Sequence, residues 1–247
     1  MGLQLNATRS ASVQYNMSVI TDYMLVGGKE SVDDRAALDH CKVTHVVNCT
    51  EDIPCYFEHD PDRPIAYYTL PVGDNPEADL TRHFDAAFSF MEACRATPGG
   101  RCLVHCHMGM SRSTAVAMAY LMCKQNMALI DAYALLKRQR PVVSPNVGFM
   151  GQLCALEERL SGGRPATLDL AIYGQDRFAD VNLLRVQGGG QGGHGHGQVP
   201  AASMPMSPQA EASVAGCLAA EAEAEAEAPM SLPGACGSPG SAEEEEE

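Results

Sequence analysis

Short apolar runs alternate with longer amphipathic stretches along the first two thirds of the chain. The short runs are rich in β-branched and aromatic residues, as in buried or half-buried strands. The predicted strands are 43–48, 65–72 and a brief run at 102–104, and residues 19–26 are predicted to form an edge strand or a hairpin. Other apolar residues recur at helical spacing, for example Phe84, Phe88 and Met91. The pattern therefore predicts strands and amphipathic helices in alternation.

Capping and breaking residues mark where the predicted helices begin and end. Pro141 ends one helix, and Gly162 ends the next. Ser144 is expected to cap that next helix, with Pro145 in its first position. The predicted helices cover residues 31–40, 80–96, 114–122, 127–140 and 144–161, and the first of them starts at Ser31 with Asp33 and Asp34. This alternation predicts an α/β fold with a central, mostly parallel sheet flanked by helices.

The periodic pattern ends near residue 161, which divides the chain into three parts. Residues 1–17 are polar and are expected to form a flexible N-terminal segment. Residues 18–161 carry the predicted core. Residues 162–247 are rich in Gly, Ala and Glu and bury too little apolar surface to order themselves, so we expect a mostly disordered acidic tail. Within it, the modest apolar content of residues 168–186 is compatible with a short helix.

Charge is distributed unevenly along the chain, whose net charge is −14. Residues 1–161 contain 14 Lys and Arg against 18 Asp and Glu, whereas residues 162–247 contain 3 against 13. The acidity is thus mostly a property of the tail, and it disfavours nucleic acid as a partner. No apolar run reaches the roughly 18 residues that a membrane span needs, and no secretory signal is evident. Ten cysteines without a CxxC pair indicate free thiols, so a cytoplasmic or nuclear location is expected.

One stretch combines a strand, a tight loop and an apolar helix with two reactive residue types. Residues 102–113 read Cys-Leu-Val-His-Cys-His-Met-Gly-Met-Ser-Arg-Ser. Backbone N–H groups in such a loop and at the helix N-terminus are available to an anion. A cysteine there, Cys106, is a nucleophile with a lowered pKa, and Arg112 offers a planar pair of donors for phosphate oxygens. The stretch predicts a phosphate-binding loop with a reactive thiolate.

Phosphoryl transfer to a cysteine also needs an acid that protonates the leaving oxygen. We expect this acid on a separate loop beside the first one. Asp74 follows the strand at 65–72, at the carboxyl end where ligands of parallel sheets bind. Asp79, Asp62 and Asp60 compete, although Asp79 lies nearer a helix start, where an acid stabilises the dipole. Asp74 is the preferred candidate, and the others stay open.

The string His-Cys, five residues, Arg-Ser and an apolar helix resembles the signature of the protein tyrosine phosphatase superfamily. Residues 18–160 look like a dual-specificity protein phosphatase catalytic domain, because further motifs occur in that family's order. These motifs are Val46-Val47-Asn48-Cys49-Thr50, Val72-Gly73-Asp74-Asn75, residues 132–137, Arg140-Pro141 and residues 145–150. The resemblance implies a protein tyrosine phosphatase-like fold. Met108 departs from it, since many members have Ala there.

The resemblance also implies the roles of the catalytic residues. Cys106 would be the nucleophile that becomes a phosphocysteine, and Arg112 would bind phosphate and stabilise the transition state. Asp74 would protonate the leaving hydroxyl and then activate water. Ser113 would help the thiolate leave in the second step. No metal and no organic cofactor is implied.

The supporting residues follow from the same resemblance. His105 would hold the loop by hydrogen bonds, and Asn146 would support it from the neighbouring helix. Backbone amides would line the phosphate cradle together with the Arg112 side chain. These amides belong to His107, Met108, Gly109, Met110 and Ser111.

The implied activity is hydrolysis of phosphotyrosine and phosphoserine or phosphothreonine in proteins, with a MAP kinase or another signalling protein as substrate and a protein kinase among the partners. A catalytically inactive phosphopeptide-binding module is the alternative from another class, but such proteins usually lack the cysteine or the arginine. A lipid phosphatase usually carries lysines in the loop, and an RNA phosphatase is disfavoured by the acidity. The basic cluster Lys137–Arg140 is either a docking site for acidic partners or a helix end that complements its dipole.

Overall fold

A computed structural model describes residues 16–186. The predicted N-terminal segment up to residue 15 and the tail from residue 187 lie outside the described residues. Within them the chain forms a five-stranded sheet in the order β1-β2-β5-β3-β4. The strands are β1 (Met17–Val19), β2 (Met24–Gly27), β3 (His45–Asn48), β4 (Ala66–Thr69) and β5 (Cys102–His105).

The sheet is mostly parallel, as predicted. β1 and β2 form an antiparallel hairpin at one edge, and every other pair of neighbouring strands is parallel. β5 is the central strand, with Val104 level with Val26 of β2 and Val47 of β3. The loop that follows β5 therefore emerges at the middle of the sheet's carboxyl edge, where the loops after β3 and β4 also emerge.

Helices cover both faces of the sheet. They are α1 (Arg35–His40), α2 (Phe84–Ala96), α3 (Arg112–Gln125), α4 (Leu129–Gln139), α5 (Val147–Leu160), α6 (Leu170–Gln175) and α7 (Val181–Leu184). Leu103 of β5 packs on one face with Ala37 and Leu38 of α1. Its neighbour Val104 packs on the other face, in the core that includes Met118 of α3. Burial on both faces explains why the central strand is apolar at consecutive positions.

One helix start agrees with the predictions and one differs. Asp34, one of the three residues at the predicted start of α1, caps that helix by accepting a hydrogen bond from the Ala37 amide. Asn146, rather than Ser144, caps α5, because its Oδ1 accepts the Phe149 amide at 2.9 Å. Ser144 is buried, and its own amide donates to the Met110 carbonyl at 2.9 Å. That tertiary hydrogen bond places the last residues before α5 against the loop after β5.

Packed structure continues to residue 186, beyond the predicted boundary at 161. Tyr173 of α6 is fully buried, contacts the Tyr133 ring edge-on at 5.9 Å, and donates its hydroxyl to the Pro145 carbonyl at 2.7 Å. Leu184 of α7 is buried as well. The buried residues of this segment are few and widely spaced. The sequence pattern is therefore too sparse to indicate packed helices. Among residues 16–186 no helix is both long and apolar enough to cross a membrane.

Candidate active site

The loop from Cys106 to Ser111 connects β5 to α3, and its backbone carbonyls from residue 107 onward all accept hydrogen bonds. The donors are the amides of Lys29 (2.8 Å) and Ser144 (2.9 Å), the Arg140 guanidinium (2.7 and 2.8 Å) and the Thr114 hydroxyl (2.6 and 2.8 Å). Because the N–H that follows a carbonyl in a planar trans peptide points the opposite way, the amides of residues 108–112 face the other side. Among the described residues, only the Gly109 amide of these five has a protein acceptor, the Cys106 sulfur. The remaining amides are available to an anion.

Gly109 is at the tightest point of this loop. Its φ of +65° lies in the left-handed region, which favours glycine. A Cβ atom there would overlap the Gly27 carbonyl and press against the Arg140 guanidinium. The loop therefore closes around its centre only with glycine at this position.

The Cys106 sulfur is buried at the base of the loop. The Ser113 hydroxyl and the Gly109 amide each donate a hydrogen bond to it at 3.3 Å. Burial by itself raises the pKa of this thiol, but the hydrogen bonds from Ser113 and Gly109 and the positive charge of Arg112 outweigh that effect. The pKa of Cys106 consequently lies below its ordinary value, which favours the nucleophilic thiolate.

Arg112 is the first residue of α3, and its side chain is almost fully buried. One terminal nitrogen, Nη1, donates to the Val72 carbonyl at 3.1 Å, which fixes the guanidinium beside the loop that follows β4. Its Nε has no hydrogen-bond partner among the described residues and is 3.7 Å from Asp74 Oδ2. The guanidinium is thus anchored at one corner and keeps donors for phosphate oxygens.

Asp74 is linked to the phosphate loop through one of its two carboxylate oxygens. Oδ1 accepts hydrogen bonds from the Ser111 hydroxyl at 2.7 Å and from the Asn146 side-chain amide at 2.9 Å. The Asn146 backbone amide donates to the Ser111 oxygen at 3.0 Å, so the Ser111 hydroxyl hydrogen is left to donate to Asp74. Oδ2 accepts neither of these hydrogen bonds and lies 3.7 Å from Arg112 Nε.

Two of the competing carboxylates are engaged elsewhere. Asp79 accepts hydrogen bonds from the amide and the hydroxyl of Thr81, at 2.8 and 2.7 Å, and these bonds lower its pKa. Asp60 accepts from the Arg63 amide and pairs with Arg35 at 2.7 Å. Of the candidate acids with described side-chain contacts, Asp74 is the one that contacts the loop after β5.

The expectation that His105 holds the loop by hydrogen bonds stays a prediction. Its ring is buried, and burial lowers the pKa of His105 to about 4, although a hydrogen bond with the Cys106 backbone acts in the opposite direction. The hydrogen bonds that hold the loop carbonyls come from Arg140, which donates to the Gly109 carbonyl at 2.7 Å and to the Met108 carbonyl at 2.8 Å. Part of the basic cluster Lys137–Arg140 therefore serves the loop, and Lys137 donates to the Val143 carbonyl at 2.8 Å.

One contact at the loop was not foreseen. His107 Nε2 lies 2.9 Å from Asp52 Oδ1, and this hydrogen bond is the main reason why the pKa of Asp52 is lowered. Asp52 follows the carboxyl end of β3, just as Asp74 follows the carboxyl end of β4. That shared position is the feature of the sequence that could have indicated Asp52 as a residue near the loop. Next to this pair, Met108 is 65% exposed. Among residues 16–186 no group of three or more His, Cys, Asp or Glu side chains is arranged to hold a metal ion.

Comparisons with known proteins agree with this geometry. The family model for the dual specificity phosphatase catalytic domain matches residues 24–159. A probable rhodanese domain-containing dual specificity protein phosphatase of Dictyostelium discoideum is 35% identical over 60% of this chain and 30% of its own length. Human dual specificity protein phosphatase 7 is 36% identical over 59% of this chain and 34% of its own length. The chain thus spans about a third of these relatives.

A crystal structure of human DUSP28 is similar over nearly all of its own length. It shares 35% sequence identity with this chain, covers 59% of this chain and 95% of the DUSP28 chain, and superimposes with a TM-score of 0.53. The same family is indicated by the sheet order, by the loop after the central strand and by the match to the family model. The chain belongs to the dual specificity phosphatase family of the cysteine-based protein tyrosine phosphatase superfamily.

Proposed function

We propose that this protein hydrolyses phosphate monoesters on tyrosine and on serine or threonine side chains of proteins. The observation that carries the proposal is the pair of 3.3 Å hydrogen bonds from Ser113 and Gly109 to the Cys106 sulfur, beside the Arg112 guanidinium. They favour a thiolate at the base of the loop whose free backbone amides can receive a phosphate. Thiolate and cradle together are what phosphoryl transfer to cysteine requires.

In the first step the Cys106 thiolate attacks phosphorus, and the bond between phosphorus and the side-chain oxygen breaks. Negative charge on the phosphoryl oxygens is stabilised by the loop amides and by Arg112. The leaving oxygen takes a proton from Asp74, whose Oδ2 accepts neither of the hydrogen bonds from Ser111 and Asn146. The products are a phosphocysteine and a free hydroxyl group on the protein substrate.

In the second step water attacks the phosphocysteine. The Asp74 carboxylate accepts a proton from this water, and the bond between sulfur and phosphorus breaks. The Ser113 hydroxyl donates a hydrogen bond to the departing sulfur, which lowers the cost of its negative charge. Inorganic phosphate leaves, and the thiolate is restored.

The substrate class rests on the relatives. They are named dual specificity phosphatases, which supports activity on both kinds of phosphorylated side chain. The family resemblance also supports a signalling protein, such as a MAP kinase, as the substrate in the cell. His107, Met108 and Met110 in the loop are not lysines, which argues against multiply phosphorylated lipids.

The test is turnover of p-nitrophenyl phosphate and of matched phosphotyrosine, phosphothreonine and phosphoinositide substrates by the full chain. We expect turnover of the aryl phosphate and both phosphopeptides, complete loss in Cys106→Ser, and little change in Cys154→Ser. Cys154 is a suitable control because burial raises its pKa to about 12, so it is an unreactive thiol. Phosphopeptide binding without turnover by wild type would instead establish a binding module, and preference for the lipid would establish a lipid phosphatase.

A further inference from the structure

Arg140 lies directly behind the phosphate loop, just after the end of α4. Its side chain is almost fully buried, and Nε and Nη2 donate to the Gly109 and Met108 carbonyls at 2.7 and 2.8 Å. On the other side Nη1 donates to the Asn16 carbonyl at 3.2 Å, and Nη2 donates to Asn16 Oδ1 at 2.9 Å. The guanidinium is therefore held rigidly between the chain at residue 16 and two successive loop carbonyls.

The charge of Arg140 has no carboxylate partner among the described residues. All of its acceptors are neutral oxygens, and none of the ion pairs within residues 16–186 involves it. A buried guanidinium without a negative partner is costly, and burial lowers the pKa of Arg140 while the nearby Cys106 thiolate raises it. The negative charge that compensates Arg140 is thus that of the site itself.

Arg140 is a second cation near Cys106, in addition to Arg112 of α3. Cys49, directly after β3, interacts electrostatically with Cys106, and His105 of β5 is the residue that precedes it. Burial raises the pKa of Cys49 and lowers that of His105 to about 4, so both are uncharged near neutral pH. Asp74, whose Oδ2 is 3.7 Å from Arg112 Nε, and Asp52, which is hydrogen-bonded to His107 and whose pKa is also lowered by Arg112, are acidic groups near this cluster.

We propose that Arg140 is a positioning residue of the phosphate site: it turns the loop amides toward the phosphate and adds a positive charge behind them. Holding the Met108 and Gly109 carbonyls outward directs the next two amides inward. The charge, which has no carboxylate partner within residues 16–186, favours both the thiolate and the bound phosphate. This role deepens the proposed phosphatase function and rests on it, but both of its effects are measurable without turnover.

The experiment compares Arg140→Gln, which removes the charge, with Arg140→Lys, which keeps the charge and loses the planar fork. Arg101→Gln is the matched control, because Arg101 is a partly buried guanidinium at the opposite end of β5 that donates to the Cys41 carbonyl at 2.7 Å. Three quantities are measured on the full chain: the pH dependence of iodoacetamide alkylation at Cys106, followed by peptide mass spectrometry; binding of inorganic phosphate by calorimetry in a Cys106→Ser background; and the melting temperature.

Arg140→Gln is expected to raise the midpoint pH of alkylation by about one unit and to weaken phosphate binding about tenfold, as loss of one nearby charge predicts. Arg140→Lys is expected to keep the midpoint near wild type while still weakening phosphate binding, since one ammonium cannot hold two carbonyls in the same geometry. Arg101→Gln is expected to lower the melting temperature without changing the midpoint or the phosphate affinity.

A purely structural role would lower the melting temperature of Arg140→Gln and leave both the midpoint and the phosphate affinity unchanged, and that result would overturn the proposal. Should Arg140→Gln not fold, Arg140→Lys decides, because wild-type phosphate affinity in that variant would also overturn it. If wild type binds phosphate but turns over no substrate, the proposed function fails while the role of Arg140 is still tested by alkylation and calorimetry.

Discussion

The hydroxyl of Ser113 donates a hydrogen bond to the Cys106 sulfur over 3.3 Å, and both side chains are buried. Ser113 lies in the first turn of α3, so the helix fixes the direction of this bond. The bond favours the charged form of the sulfur, and it therefore assists whenever the sulfur is a thiolate, both before attack and after the phosphoryl group leaves.

We predict that Ser113→Ala slows hydrolysis of the phosphocysteine. A hydrogen bond to a charged group contributes about 1.5–3 kcal/mol, so the second step should slow roughly tenfold to hundredfold. Rapid-mixing measurements with p-nitrophenyl phosphate should then show a burst of nitrophenol before the steady state. The acid limb of the pH profile should also move to higher pH, because the pKa of Cys106 rises without this donor. Unchanged kinetics would exclude a role for Ser113 in either step.

Asp74→Ala should affect poor leaving groups most. A positioned acid contributes about a hundredfold or more when the leaving oxygen needs a proton, whereas an activated nitrophenolate leaves without one. We therefore expect a much larger loss of kcat for a phosphothreonine peptide than for p-nitrophenyl phosphate. Asp79→Ala serves as the control, since Asp79 accepts hydrogen bonds from Thr81 instead. Equal losses on both substrates would remove Asp74 from the role of acid.

Asn146→Ala should combine a stability effect with a catalytic one. Asn146 caps α5 and also donates to Asp74 at 2.9 Å, while Asp34 caps α1 away from the site. Loss of either cap should lower the free energy of unfolding by about 1 kcal/mol in urea titrations. Only Asn146→Ala should also lower kcat for phosphopeptides, because Asp74 loses one of the two donors to Oδ1. Matching kinetics in Asn146→Ala and Asp34→Ala would count against this account.

Two glycines in α5 should respond differently to the same substitution. A Cβ atom on Gly148 would overlap the Pro76 backbone, two residues after Asp74, whereas one on Gly151 would meet only Leu170 at 3.7 Å. Gly148→Ala should therefore cost about 1–3 kcal/mol in thermal or chemical unfolding and lower activity by displacing the acid loop. Gly151→Ala should be neutral or stabilising by up to about 1 kcal/mol, since alanine favours helix. The reverse order would show that α5 does not constrain that loop.

His105 should make stability depend on pH. Burial lowers its pKa from 6.5 to about 4, so the unfolded chain binds the proton first as pH falls. The stability that depends on an uncharged His105 is fully present above pH 6.5. As the pH falls from 6.5 to 4, the free energy of unfolding decreases by about 3 kcal/mol. Urea titrations across that range should show the loss in wild type and a shallower pH slope in His105→Leu. Identical slopes would mean that other groups dominate.

Periodicity and capping predicted much of the scaffold, since both depend on residues close together in sequence. The alternation of apolar runs with amphipathic stretches indicated the mostly parallel sheet, and the His-Cys to Arg-Ser string indicated the phosphate loop. Helix starts were predicted less accurately. Ser144 and Asn146 are both residue types that cap helices, and the Ser144 amide donates instead to the Met110 carbonyl, a contact that local sequence does not indicate. The residues after 161 were underestimated because Tyr173 and Leu184 pack through distant contacts.

The sequence by itself determined which residues can do chemistry: a cysteine and an arginine six positions apart at the junction of a strand and a helix. Only the tertiary structure decided what surrounds them. Arg140 reaches Gly109 across 31 residues, and Asn146 reaches Asp74 across 72. Such contacts leave no periodic pattern in the sequence. They form when separate helices and strands pack together and a side chain of one element hydrogen-bonds a polar group left unpaired at the end of another.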